Sequence, residues 1–538
     1  MPTDEIMFKF YKLCTICIVV FPLFVGAANL HQSHDISRRS LLHVETNSLN
    51  WPGTDELSNS PIIVRLLARE TTEENCTSRS INEFPNDLFT KTQRKHGALL
   101  FHALFAVYCF TLTAFVCNDY LLPAMDCICT DLKISADVAG ATFLATASCF
   151  PELFVNVVGT FLTQSDLGVG TVVGSAVFNI FAIPACGALS TVQGVKLDWT
   201  VLARDSLLYT VALAALIISM WDGYITSYEA VSLTTLLLAY YGFLFFNKII
   251  YRFFSKTLSC SSTGSELMDE KSPDSPTNDL PVGTYKPFYH GELVLEYRKS
   301  FRKSHKKDPS NMEANTVIPE EPPIEEYVEP DTPFNWPKGR TLEKVWFFYT
   351  WPLRLILFIT IPDTRYKKMR NCYPLTFIIC VIWIAISSYL VSWMITVIGD
   401  TLGIADSIMG ITFLAAGGNM PEFISIIILA KQGNGDMAMS NSFGSNSLDI
   451  LLCLGLPWTL KTLIFSTNVE IVSHALVYSV IGIIICIIAL FIVSAMTKFW
   501  INKKVGLACL LMYAIYLVLA ILVESNVFFF VNWPMCDD

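Results

Sequence analysis

Two prolines stand directly before two glutamates in this 538-residue chain, Pro151-Glu152 and Pro421-Glu422, each inside an apolar run. Proline has no N–H for a helix ladder and its ring clashes with the preceding turn, so each pair marks a helix break. Carbonyls near Ala145 and Ala415 are then free to turn toward a ligand. A glutamate at membrane depth is expensive to hold as a charge, and such a residue marks a functional site by default. Small and polar residues follow each pair: Gly174, Ser175 and Asn179 after the first, and Gly444, Ser445, Asn446 and Asp449 after the second. Glycines let helices approach closely. Carboxylates, amide oxygens, hydroxyls and freed carbonyls together form a hard-oxygen cage suited to Ca2+ and alkali cations. No soft ligand set is apparent. The 16 cysteines fall mostly inside apolar runs, where a thiol ordinarily acts as a small hydrophobe.

The two sets are copies. "GATFLATASCFPELF" (140–154) aligns with "GITFLAAGGNMPEFI" (410–424) at an offset of 270. The same offset carries "DLGVGTVVGSAVFNI" (166–180) onto "DMAMSNSFGSNSLDI" (436–450), with about eleven identities across the window. Self-similarity at a fixed offset is a stronger signal than any single motif here.

The elements that must position these residues are membrane helices. The chain is 53% hydrophobic and only 16% charged, whereas about 25% is usual for a soluble domain. Apolar runs near 98–118, 134–163, 168–191, 201–221 and 226–247 form one group, and 375–398, 406–431, 437–463, 471–495 and 502–523 form another. These runs are long enough to cross a bilayer as helix. The expected fold is an all-α polytopic membrane protein with ten core transmembrane helices. Five spans separate the second helix from the seventh, and an odd number turns the second copy upside down. The ten helices therefore read as two inverted-topology five-helix repeats, an architecture of secondary transporters that places the site near the midplane.

The rest of the chain frames these halves. Residues 1–28 read as a cleavable N-terminal signal sequence, with Lys9 and Lys12 before a short apolar run that ends in small residues. Residues 29–97 then form an extracellular or lumenal region bearing a glycosylation sequon at Asn75. The first transmembrane half is 98–247, with its repeat at about 140–180. The second is 375–523, with its repeat at about 410–450. Between them, 248–374 is a cytoplasmic loop, largely of disordered composition around "PEEPPIEEYVEPDTP". Its run 345–362 reads as an interfacial helix, with a spanning helix as the alternative. Residues 524–538 form an extracellular or lumenal tail. Lys196, Arg204, Lys431, Lys498, Lys503 and Lys504 lie in the loops that this layout puts in the cytoplasm, while "WDGYITSYE" and "GDTLGIAD" on the other side lack Lys and Arg. The net charge of −10 does not point to nucleic acid, because the acid is concentrated outside the spans.

The repeat residues, with "GDMAMSNSFGSNSLDI" followed by "LGLPW", resemble the α-repeats of the calcium/cation antiporter superfamily, and among them the potassium-dependent sodium/calcium exchangers. The resemblance implies an antiporter, not an enzyme. It would export Ca2+ together with K+ in exchange for Na+ by alternating access, without a resident cofactor. It implies Glu152 and Glu422 as the central carboxylates and Asn179 and Asp449 as the groups completing the cage, with Asp449 determining K+ dependence. Ser148, Ser175 and Ser445 match hydroxyl ligands, and Ala145 and Ala415 match backbone carbonyl ligands. Its partners would be inorganic cations and the lipid bilayer, and its location a multi-pass membrane setting, the plasma membrane or else an organelle membrane. The sequence departs from the family at Cys149 and Gly418, which replace hydroxyls, while Asn419 could restore an oxygen and Glu422 stands for a shorter Asp. Those departures motivate two alternatives: a divergent calcium/cation exchanger without K+ dependence or with H+ coupling, and a transport-poor regulatory paralogue.

Overall fold

The computed structural model describes residues 79–132, 140–190, 195–196, 199–259, 332–334, 341–366, 368–431, 435–528 and 530–532. The expected signal sequence, the Asn75 sequon and most of the 248–374 loop lie outside these residues. The described chain is helical, and eight of its helices are long and apolar enough to cross a membrane, or nine if a bent pair counts as one span. It is a multi-pass membrane protein.

Helix α1 runs Lys91–Asp131, beyond the expected end near 118. The wide turn at Val116–Leu121 explains the extension, because a new α segment starts there and Pro123 falls in its first turn, where a missing N–H costs nothing. The bent pair follows as α2a (Thr142–Ser148) and α2b (Phe150–Thr163), inclined by 49°. Then come α3 (Leu167–Ser190), α4 (Trp199–Met220) and α5 (Ser227–Ser259). Helix α6 (Thr341–Thr360) contains the ambiguous run, with Pro352 inside it. One face of α6 is buried: Trp346, Leu353 and Leu357 join a cluster with Phe115 and Val116 of α1. The second group is α7 (Arg370–Leu402), α8a (406–418), α8b (Met420–Lys431), α9 (435–465), α10 (Ala475–Met496) and α11 (Lys503–Glu524).

The sequence repeat is carried into the backbone at the same offset. Gly140–Leu144 and Gly410–Leu414 are both wide-turn segments, Ala145–Ser148 and Ala415–Gly418 are both single α turns, and the helices resume at Phe150 and Met420. Each restart places the proline in the first turn of the new helix, which is why both breaks fall where they do.

The two copies interlock. A Cβ added at Gly174 of α3 would lie 2.2 Å from the Ile411 carbonyl oxygen, and one at Gly170 would lie 2.6 Å from that of Ser407. Only glycine allows α3 to cross α8a this closely. Helix α3 sits at the centre: 89% of its apolar window is buried within the protein, against 22% for α11. Two short antiparallel pairings join the groups at their ends. Strand β1 (Val195–Lys196) pairs with β4 (Trp500–Ile501), and β2 (Tyr224–Ile225) pairs with β3 (Val469–Glu470). The loops that carry Lys196 and Lys498 therefore meet at one end, and those carrying Asp222 and Glu470 meet at the other.

Candidate functional site

Both Pro-Glu pairs open onto one buried chamber. Glu152, on the first turn of α2b, is 2% exposed, and neither of its carboxylate oxygens has a hydrogen-bond partner. The carboxylates of Asp449 of α9 and Glu422 of α8b act on it electrostatically. Glu422 is equally buried, and its Oε2 also lacks a partner. The Glu422 carboxylate faces the side chains of Ser445, Ser148 and Asn179. Glu152 thus faces carboxylates of the second copy, and Glu422 faces polar side chains of both copies.

The amides fix the middle of this chamber. Asn179 Nδ2 donates to Asn446 Oδ1 at 2.8 Å, which leaves Asn179 Oδ1 without a partner. Asn446 Nδ2 reaches the Ala176 carbonyl at 3.5 Å. Ser442 Oγ donates to the Asn179 carbonyl at 3.1 Å, so α3 and α9 are tied through side chains as well as packing. Ser175 is fully buried with its Oγ unpartnered, while Ser445 Oγ donates to the Ser442 carbonyl at 3.0 Å. Three carboxylates and several unpartnered oxygens in a buried volume cost heavily unless positive charge joins them.

The expected carbonyl ligands behave differently. Ser148 Oγ donates to the Ala145 carbonyl at 2.9 Å, and the Cys149 N–H reaches the same oxygen at 3.2 Å. Asn419 Nδ2 donates to the Ala415 carbonyl at 2.6 Å. Here Ala145 and Ala415 are thus satisfied within their own helices, and the Asn419 amide nitrogen is turned back on its own turn.

Gly418 has a role that its sequence position does not announce. A Cβ there would lie 2.8 Å from Glu152 Oε1. The missing side chain makes the room into which Glu152 leans.

Sequence reasoning missed three features. The first is a lid on Glu152 from α1 and α7. Phe110, Thr113, Ser388 and Val391 line a small void beside that carboxylate. Ser388 Oγ donates to the Pro151 carbonyl at 3.3 Å, and Thr113 and Ser387 share a hydrogen bond of 2.8 Å. Small polar residues inside otherwise apolar runs were the available signal. The second is Cys453, four residues after Asp449 and so on the same helix face. Its Sγ contacts the Asp449 carboxylate at 3.9 Å.

The third is a polar cluster at the end of the bundle where the Asp222 and Glu470 loops meet. Arg79 bridges to Asp400 at 3.0 Å, and Arg94 lies 3.5 Å from the same carboxylate. Ser80 donates to Asp406. Asp166 accepts from the backbone N–H groups of Val472 and Ser473. Glu524 Oε2 accepts from Ser407 at 2.8 Å, Ser473 at 2.7 Å and Asn532 at 3.2 Å. Arg79, Ser80, Asp166, Asp400, Asp406 and Ser473 line a cavity of about 90 Å3 there. Burial pushes the Asp166 carboxyl, just outside α3, up to about 7, against the two backbone hydrogen bonds that favour its charged form.

Comparison with known proteins shows the family. The family model for sodium/calcium exchanger protein matches residues 102–246 and 372–522, both helical groups. Human sodium/potassium/calcium exchanger 4 is 36% identical over 87% of this chain and 88% of its own length. Human sodium/potassium/calcium exchanger 3 is 35% identical over 86% and 87%, and human exchanger 5 is 33% identical over 88% and 93%. A solved structure of the sodium-calcium exchanger NCX_Mj, soaked with Na+ and Sr2+, aligns over 77% of this chain and 98% of that one. Its TM-score of 0.41 and identity of 16% give that likeness no weight. With both repeats inside the matched ranges and relatives similar over nearly their whole length, the chain belongs to the sodium/calcium exchanger protein family.

Proposed function

We propose that this protein is a secondary active antiporter that exports Ca2+ together with K+ in exchange for Na+. One observation carries the reading: Glu152, Glu422 and Asp449 share a buried chamber in which their charged neighbours are one another. Such a chamber has to be filled by cations. Ca2+ takes six to eight oxygens at about 2.3–2.6 Å, and carboxylates, amides and hydroxyls of both repeats supply them. Ca2+ and K+ together carry three positive charges against three carboxylates. Relatives that are named sodium/potassium/calcium exchangers support the same ion set.

In this reading Glu152 and Glu422 hold the divalent ion, Asn179, Ser148, Ser175 and Ser445 complete its shell, and Asp449 supplies the charge that retains K+. Pro151 and Pro421 keep both helices broken at that depth. Carbonyls of Ala145 and Ala415, and the Asn419 amide oxygen, would join when those turns open. The ten spans would form two inverted five-helix repeats. Helices α1 and α7, which cover Glu152, would move relative to the α2–α3 and α8–α9 core to expose the chamber to each side in turn. The loops carrying Lys196 and Lys498 would face the cytoplasm. The signal sequence would be cleaved and Asn75 glycosylated outside, with α6 at the inner interface and the protein in the plasma membrane.

The test is ion flux. Cells loaded with Na+ and then deprived of external Na+ should take up Ca2+ only when external K+ is present. Uptake that ignores K+ would favour the divergent exchanger. No uptake by protein present at the surface would favour the regulatory paralogue. Glu152→Gln should abolish flux, and normal flux in that variant would remove the site assignment.

A further inference from the structure

Beside the hard-oxygen chamber the fold assembles a second, softer ligand set. Cys149 Sγ, Cys453 Sγ and an Asp449 carboxylate oxygen all lie within 4.8 Å of one another, and all three residues are buried. Cys149 occupies the break between α2a and α2b, and Cys453 lies on α9. Cys453 Sγ contacts the Cys149 carbonyl at 3.4 Å, and Cys149 Sγ contacts the Ser445 carbonyl at 3.5 Å. These are weak sulfur contacts that any strong ligand would replace. No other group of three such ligands lies as close together among the described residues.

We propose that Cys149, Cys453 and Asp449 form a binding site for a thiophilic divalent cation of the Cd2+ or Zn2+ type, inside the transport chamber. The spacing suits it: two thiolates at about 2.3 Å from a tetrahedral Zn2+ sit about 3.8 Å apart, within the span these sulfurs already share. Binding replaces two S–H bonds by two metal–sulfur bonds and releases two protons to chamber water. Asp449 gives the third ligand, and the fourth position is left to water. Two thiolates and one carboxylate select such an ion over Ca2+, which prefers oxygen. The metal would clamp the hinge of the first bent helix onto α9 and take up the carboxylate assigned to K+. Metal binding stands independently of the exchange reading; the block of flux rests on it.

The probe is Cd2+ added to reduced, purified full-length protein, followed by the ultraviolet cadmium–thiolate charge-transfer band. The band should appear in the unmutated protein, weaken in Cys149→Ser and in Cys453→Ser, and disappear at the same metal concentration in the double variant. Apparent Cd2+ affinity should fall by about tenfold or more in either single variant. A band that is absent from the unmutated protein, or one that survives the double substitution, overturns the proposal. In Na+-loaded cells, Cd2+ should block K+-dependent Ca2+ entry less potently in each single variant than in the parent. Should the parent show no exchange, the band still decides the metal site, and the antiporter reading fails separately.

Discussion

Gly418→Ala and Gly418→Ser separate two accounts of the same position. If Gly418 is merely a lost hydroxyl ligand, serine should improve transport and alanine should do nothing. If Gly418 exists to admit Glu152, both should impair it. A Cβ at 418 would meet Glu152 Oε1 at 2.8 Å, whereas ordinary contact begins at 3.4 Å. The carboxylate must therefore withdraw by about 0.6 Å, twice the width of the ~0.3 Å window of Ca2+–oxygen distances. The atom displaced is the end of a flexible side chain, so the fold should yield cheaply. Stability should change by no more than about 1 kcal/mol, with helix propensity favouring alanine. The Ca2+ concentration for half-maximal entry into Na+-loaded cells should rise about tenfold, or ~1.4 kcal/mol. Thermal unfolding of the purified variants would show that the effect is local. A serine variant with parental or better Ca2+ affinity and an unchanged unfolding midpoint would refute the reasoning.

Asp449→Asn removes one of three chamber charges while keeping an oxygen, so the K+ requirement should weaken more than Ca2+ affinity does, read as entry across a series of external K+ concentrations. Gly174→Ala aims a methyl at the Ile411 backbone carbonyl, 2.2 Å away. Backbone cannot withdraw as a side chain can, so this variant should lose about 3 kcal/mol or more of stability and show a lowered unfolding midpoint in detergent. Asp166 gives a pH signature. Its folded pKa of about 7 exceeds the ordinary 3.8, so the folded state keeps the proton to higher pH than the unfolded chain does. Its contribution to stability is thus full below the unfolded value and is lost as pH rises through about 7. Unfolding midpoints should fall from about pH 4 to about pH 7 in the parent, level off above that, and change less in Asp166→Asn.

The broken helices were legible because the pattern was expensive: prolines and carboxylates inside apolar runs have few structural excuses, and their recurrence at one offset removed the rest. That pattern alone singles out Glu152 and Glu422, while Asn179 and Asp449 take their roles from the family resemblance. What stayed hidden depends on three-dimensional proximity. Gly418 looked like a deficit until the Glu152 oxygen beside it came into view. Cys453 looked like one more buried thiol, because its partner Cys149 is 304 positions away. The Arg79–Asp400 bridge joins residues 321 positions apart, and nothing local to either predicts it. The continuation of α1 to Asp131 was missed because polar residues and Pro123 looked like a loop, where a wide turn absorbs them instead.

The close crossing of α3 over α8a through Gly170 and Gly174 also bears on how the chain is made. The hydropathy profile divides it into two halves with a long linker, and such a profile invites treating each half as a module. Yet the most buried helix of the first half has its neighbours in the second, and both short strand pairings join one half to the other. Neither half therefore carries a finished interior. The first, once inserted, must wait in the bilayer with a polar groove uncovered until the ribosome delivers its counterpart. A chain severed between 260 and 331 should accordingly yield two unstable fragments that recover function only when made together in the same membrane, as an obligate pair. The glycine crossing then decides whether the halves stay together.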